Sequence, residues 1–225
     1  MNTDVYIVIP AKDEEPRIGG VLKKVRSLGF ENIVVVNDGS EDNTADIARY
    51  YGAQVVSHLI NLGAGAATQT GIEYAIAANA KTIVTIDADH QHLPEDIHSL
   101  VTTLEREEAD IVIGSRFLRK DNQIPRTRRL YNKIANIITW FFTGIRVTDS
   151  QSGMKAFRAS YAEKAALTSN GFEFSVEMIK HISRNNAKII EVPISVIYTK
   201  DTLSKGQNLL TGIRMLARIA QFGTR

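Results

Sequence analysis

Cysteine is absent from all 225 residues. Its absence excludes a disulfide framework, a thiolate metal site and a cysteine nucleophile, and it fits a reducing compartment. No basic n-region and apolar h-region precede the first strand-like segment, Val5–Ile9, so no secretory leader is expected. Long hydrophobic runs are lacking too. The uncharged stretch Ile134–Ile145 falls well short of the roughly 20 apolar residues that a bilayer-spanning helix needs. The expectation is a cytoplasmic chain with no transmembrane helix. There is no internal repeat, low-complexity tract or interdomain linker, which leaves a single domain. A net charge of +2 gives no electrostatic footprint for nucleic acid.

What is present is an ordinary soluble balance, 44% apolar against 23% charged, enough for one α/β domain with a full core. The first half alternates. Strand patterns fall at Val5–Ile9, Asn32–Val36, Gln54–Ser57, Thr82–Ile86 and Asp110–Ile113, and helical patterns at Arg17–Ser27, Thr44–Tyr51, Ala66–Ala78 and Pro94–Glu107. Gly29 and Gly52 stand where helices end, since glycine takes left-handed φ without steric cost. This alternation implies a mostly parallel central sheet with helices on both faces, and a ligand crevice beyond the carboxyl ends of the strands. The polar clusters fall at those ends: Lys12-Asp13-Glu14, Asn37-Asp38-Gly39-Ser40, Asp87/Asp89 and Gly114-Ser115-Arg116. After about residue 118 the alternation stops. A helix is expected over Arg126–Phe142, a polar turn over Asp149–Gly153, a helix over Phe174–Asn185, and strands at Lys188–Val192 and Ser195–Tyr198. An amphipathic C-terminal helix, Asn208–Phe222, completes the pattern.

The most informative segment is Thr82–Pro94. A β-branched apolar run ends in Asp87 and Asp89, spaced i, i+2, and Pro94 opens the next helix. Two carboxylates at the mouth of a parallel strand make a hard, oxygen-rich site suited to Mg²⁺ or Mn²⁺ with a diphosphate as co-ligand. His90 and His92 flank Asp89 and invite a zinc reading, but the strand has ended there, so the two imidazoles are not expected to converge on an ion. The glycine-rich stretch Asn61–Gly71 has no Gly-Lys-Ser/Thr and no clean GxGxxG register, and is read as close packing of a helix on the sheet.

Taken in order, Pro10…Glu14, Asn37-Asp38-Gly-Ser, Asn61-Leu-Gly63, Asp87-Ala-Asp89, Gly114-Ser-Arg116-Phe, Asp149-x-x-Ser152-Gly153-Met-Lys-Ala-Phe157, Gly171-Phe-Glu-Phe-x-x-Glu177 and Glu191-Val-Pro193-Ile span nearly the whole chain. This set resembles family 2 glycosyltransferases of the dolichol-phosphate mannose synthase-like, polyprenyl-phosphate branch. The resemblance implies a GT-A fold in one domain, with residues 1–118 serving the nucleotide-sugar and metal and residues 119–225 the acceptor. It implies an inverting reaction with a divalent cation held by Asp87, Asp89 and Gln91. A pocket of Pro10, Lys12, Glu14, Val36, Asp38, Asp87 and Ala88 would take a UDP- or GDP-sugar. Asp89, Arg116 and Lys205 would act at the reacting centre. Departures are also visible: Lys12 stands where relatives often carry Tyr, Asn37 where they often carry a second Asp, and Thr199 in place of an Arg.

A phosphate acceptor is mostly ionised at neutral pH and needs cations to hold it, not a base. The basic stretch from Arg116 to Lys133 supplies them, and the resemblance assigns Arg116, Arg128 and Asn132 to the acceptor phosphate. The apolar residues that follow, Ile134 to Phe142, and the basic amphipathic C-terminal helix suit either the protein core or a peripheral contact with an anionic membrane. Three rival readings remain open. One is transfer to a sugar hydroxyl with Asp149 or Glu177 as base. The others are nucleotidyl transfer and a nucleotide-sugar-binding module without catalysis.

Overall fold

The structure, a computed structural model, describes residues 4–164, 177–180 and 187–198. Seven strands form one sheet: β1 (Val5–Ala11), β2 (Asn32–Asp38), β3 (Gln54–His58), β4 (Thr82–Thr85), β5 (Ile111–Ser115), β6 (Lys155–Arg158) and β7 (Ile189–Pro193), in the order β3-β2-β1-β4-β6-β5-β7. Every pairing is parallel except those of β6, which runs antiparallel between β4 and β5. The helices are α1 (Glu15–Ser27), α2 (Thr44–Tyr50), α3 (Ala64–Ala77), α4 (Ile97–Arg106), α5 (Arg126–Thr143) and α6 (Ala159–Lys164).

Strand alternation decides the two layers. Ile7, Ile9, Val35 and Val84 face the apolar stripes of α1 and α4 (Ile18, Leu22, Leu100, Leu104). Val8, Ile83 and Phe157 turn the other way, onto α3 and α6, where Ile72, Ala75 and Ala162 wait. Gly71 explains the glycine-rich stretch: a Cβ there would lie 2.3 Å from Val8 Cγ1 and 3.1 Å from Val36 Cγ2, so α3 approaches the sheet only without one. Gly29 and Gly52 both take positive φ after their helices, as their positions suggest.

Three differences from the sequence reading concern the second half. Lys155–Arg158, where no element is legible, is the antiparallel strand β6. Ser195–Tyr198 is not a strand; it contributes one bridge, from Val196 to His92. Pro94 opens a 3-10 turn (Pro94–Asp96) before α4, which is shorter than the pattern suggests. Of the helix expected over Phe174–Asn185, residues 177–180 are described and are helical. The C-terminal helix and Lys205 lie outside the described residues.

Candidate active site

β4 ends at Thr85, and the next turns of chain carry both carboxylates out over the sheet's carboxyl rim. β6 meets them there. Thr85 Oγ1 donates to the Gly153 carbonyl at 2.8 Å, and an added Cβ on Gly153 would lie 2.1 Å from Asp87 Oδ2. The Asp87 carboxylate therefore rests directly on backbone that only glycine leaves open. The buried His92 sets its Nε2 3.3 Å from Asp87 Oδ2, and the Gln91 amide donates to Asp89 Oδ1 at 2.9 Å. His90, at positive φ, turns away onto Gly20 of α1, where a Cβ would meet its Nε2 at 2.5 Å. The two imidazoles diverge, as the end of the strand requires.

Electrostatics separate the pair. Burial works to raise Asp87, but His92, Lys155 and Arg116 outweigh it and hold the carboxylate below its usual range. Asp89 is raised by burial and by repulsion from Asp87, with the Gln91 amide and His92 only partly countering. Among the described residues no three His, Asp or Glu side chains form a closed metal cage. A two-carboxylate site open to solvent does fit Mg²⁺ or Mn²⁺, which bind through one or two carboxylates and take their remaining ligands from substrate phosphates and water.

At the other end of the rim, Pro10 pairs in register with Val36, and Ala88 is buried behind Asp87. Lys12 Nζ donates to the Gly39 carbonyl and pairs with Asp13, both at 3.1 Å. Glu14 is buried, holds Arg17 at 3.0 Å, and its amide donates to Thr44 Oγ1. Asp38 is nearly inaccessible: Oδ1 takes hydrogen bonds from the Leu62 amide and from His58 Nδ1, each at 2.8 Å, and Oδ2 takes one from the Gly63 amide at 2.9 Å.

On the β5 side, Arg116 forms a two-pronged pair with the fully buried Asp149, Nε to Oδ2 and Nη2 to Oδ1 at 2.7 Å, and its own amide donates to Oδ2 at 3.1 Å. Asp149 and the neighbouring Asp87 carboxylate hold the Arg116 guanidinium in its charged form against the cost of burial. Glu191 on β7 accepts the amides of Thr148 and Asp149 (2.8 to 3.1 Å) and so fixes the turn that presents Asp149. Lys155 is buried in the same cluster and donates to the Ser152 carbonyl; burial lowers its amine to about 8 although Asp149 and Asp87 oppose the shift. Arg128 lies 5.3 Å from the Tyr198 ring. Asn132 is buried in α5 and spends an Nδ2 bond on the Thr148 carbonyl, and its Oδ1 has no partner among the described residues.

Of the sequence-derived residues, Asp87, Asp89, Gln91 and Arg116 gather around one part of the rim, and Pro10, Lys12, Glu14, Val36 and Asp38 form its other end. The sequence reading missed His92 as the partner of Asp87, Lys155 as a buried cation, and Glu191 as the support of the Asp149 turn. Lys155 and Glu191 stand in recognisable motifs, but no periodicity marks β6 as a strand. Nothing local distinguishes His92 from His90.

The sequence matches the description "Glycosyl transferase family 2" over residues 6–165. It is 40% identical over 220 residues to an uncharacterised protein of Methanocaldococcus jannaschii, covering 96% of this chain and 90% of that one. It is 31% identical to a UDP-N-acetylglucosamine–dolichyl-phosphate N-acetylglucosaminyltransferase of Methanococcus voltae, covering 96% and 94% of the two chains. In structure it is similar to glucosyl-3-phosphoglycerate synthase from Mycobacterium tuberculosis bound to UDP, with a TM-score of 0.75 at 21% identity over 98% of this chain and 80% of that one. The carboxylate pair on a mostly parallel sheet and the match over most of the length agree: the chain belongs to glycosyltransferase family 2, in company with its polyprenyl-phosphate branch.

Proposed function

We propose that the protein transfers a sugar from a UDP- or GDP-sugar to a polyprenyl phosphate, with inversion at the anomeric carbon. A phosphate oxygen of the acceptor forms the new bond to that carbon, the bond to the nucleoside diphosphate breaks, and no proton need be removed. The observation that carries this reading is the state of Asp149. A hydroxyl acceptor requires a carboxylate to take its proton, and Asp149, one of the two candidates in the sequence, is fully buried and bound at both oxygens by Arg116. An acceptor that arrives ionised needs no such base.

A divalent cation, Mg²⁺ or Mn²⁺, would neutralise charge on the departing diphosphate. Asp87 and Asp89 are the residues to hold it, with Gln91 fixing the Asp89 carboxylate through its amide. Arg116 is charged and immobilised by Asp149, so its remaining N–H groups are available to phosphate oxygens without reorganisation. Arg128 extends the same cationic strip, and by resemblance Lys205 completes it. Asn132, by contrast, braces α5 against the Thr148 turn.

α5 supports a lipid acceptor and a peripheral membrane contact. Its buried positions are small or polar (Asn132, Ala135, Thr139, Thr143), while Leu130, Ile137, Trp140 and Phe141 are exposed. Arg126, Arg129 and Lys133 are exposed on the same helix, a combination suited to an anionic interface. Among the described residues no helix is long and apolar enough to cross a membrane.

The test is release of nucleoside diphosphate from a panel of UDP- and GDP-sugars, with Mn²⁺ or Mg²⁺, with and without a short polyprenyl phosphate. Release requiring both metal and lipid supports the reading and names the donor. Efficient transfer to a soluble sugar hydroxyl without lipid would overturn it.

A further inference from the structure

The Asp38 carboxylate has about four acceptor positions. Oδ1 has both taken, by His58 Nδ1 and the Leu62 amide, and Oδ2 has one taken, by the Gly63 amide. One position therefore remains for any nucleoside. His58 is itself nearly buried, and its Nε2 meets Thr70 Oγ1 of α3 at 3.0 Å. The Thr70 hydroxyl donates or accepts by rotating, so the chain Asp38–His58–Thr70 stays satisfied whether the imidazole is neutral or charged. The chain joins the end of β2, the end of β3 and the second turn of α3. Between them runs segment 59–63, whose backbone lies against Gly39: at φ +66, a Cβ there would meet the Asn61 N and Ile60 C atoms at 2.7 Å. That segment stands beside the Asn37–Ser40 turn at the nucleoside end of the rim. Its apolar side chains do not anchor it, because Leu59, Ile60 and Leu62 are exposed, and Asn61 Oδ1 only shares the Gly63 amide with Asp38, at 3.0 Å.

We propose that His58 is a positioning residue of the donor site: by holding Asp38 it pins segment 59–63 against Gly39 and so shapes the wall on which the nucleoside rests. Asp38 then anchors that wall through three of its acceptor positions and keeps one for the nucleoside. This inference rests on the nucleotide-sugar reading above.

The experiment is calorimetric titration of UDP and GDP, with Mn²⁺, into the wild-type chain, His58→Phe and His58→Asn. The asparagine keeps a donor near the place of Nδ1; the phenylalanine removes it. His58→Phe is expected to weaken binding of the preferred nucleotide roughly five- to ten-fold, the scale of one ordinary hydrogen bond felt through the wall it holds. It should raise the donor KM without an equal fall in kcat, and His58→Asn should recover most of the loss. Hydrogen exchange at the Leu62 and Gly63 amides should quicken in His58→Phe. In the wild type it should slow further when nucleotide binds, a readout that stands even if the phenylalanine variant does not fold. A folded His58→Phe with wild-type affinity, or wild-type amides indifferent to nucleotide, would overturn the inference alone. Failure of the wild type to bind either nucleotide would overturn the donor reading, and the inference with it.

Discussion

Burial and the Asp87 carboxylate raise Asp89 above the usual carboxylate range, with the Gln91 amide and His92 only partly offsetting both. The charged form is thus destabilised by the fold unless a cation joins it. Asp89→Asn keeps the acceptor for the Gln91 amide but removes the repulsion. It is expected to abolish sugar transfer and, without divalent metal, to raise Tm by roughly 2–4 °C, about 1 kcal/mol for a chain of this size. Calorimetry alongside the transfer assay checks both, and a fall in Tm would refute the electrostatic account. Gly153 sits under the other carboxylate. Because a methyl group there would meet Asp87 Oδ2 at 2.1 Å, Gly153→Ala must displace Asp87. A displacement of about 1 Å at a reacting centre costs up to ~100-fold, so transfer should fall at least ten-fold at saturating donor while circular dichroism is unchanged.

At the scale of elements, β6 decides the chemistry of the site more than any other strand. It fills the gap between β4 and β5 and brings Gly153 and Lys155 beside residues that arrive from β4. The segment after β7 is tied down in a different way. Asn122, buried in the β5–α5 loop, donates to the Arg116 and Ile194 carbonyls and accepts the Val196 amide, while the Ile197 amide donates to the Gln91 carbonyl. Removing one side chain with two buried bonds and one partly buried leaves several backbone groups unsatisfied. Asn122→Leu should therefore cost roughly 2–4 kcal/mol in urea unfolding. A cost below about 0.5 kcal/mol would show that these segments hold together without it.

Across the whole molecule, the buried charges of the rim must balance. Lys155 lies among Asp87, Asp149 and Arg116, and burial brings its amine down to about 8 from the ordinary 10.5. Between those values the unfolded chain binds more protons than the folded one, so this group's contribution to stability rises with pH across that window; its cost is fully felt below about 8. The wild type should gain Tm relative to Lys155→Met between pH 8 and 10, and a difference flat with pH would remove the buried charge from the account. The exposed apolar face of α5 belongs to the same scale. Co-sedimentation with anionic vesicles should weaken several-fold in a Trp140→Ala/Phe141→Ala variant, each exposed aromatic adding apolar area to the contact.

The order of β1 to β5 and their intervening helices was legible in the sequence because each strand is a local run of apolar residues and each helix carries its own period. The rim followed, since a parallel sheet collects its strand ends on one side, and the ordered motifs identified the family. Asp87 and Asp89 were visible for that reason. Only the tertiary structure revealed that Lys155–Arg158 is a strand, because four residues carry too little periodicity and their partners lie 70 to 76 residues upstream on β4 and 42 to 46 upstream on β5. It alone decided that Asp149 binds Arg116 through both oxygens, that His92 supports Asp87 while His90 does not, and that most of the Asp38 carboxylate is taken by protein groups. Each depends on which distant backbone comes within 3 Å of a given oxygen, and that is set by packing across the whole sheet.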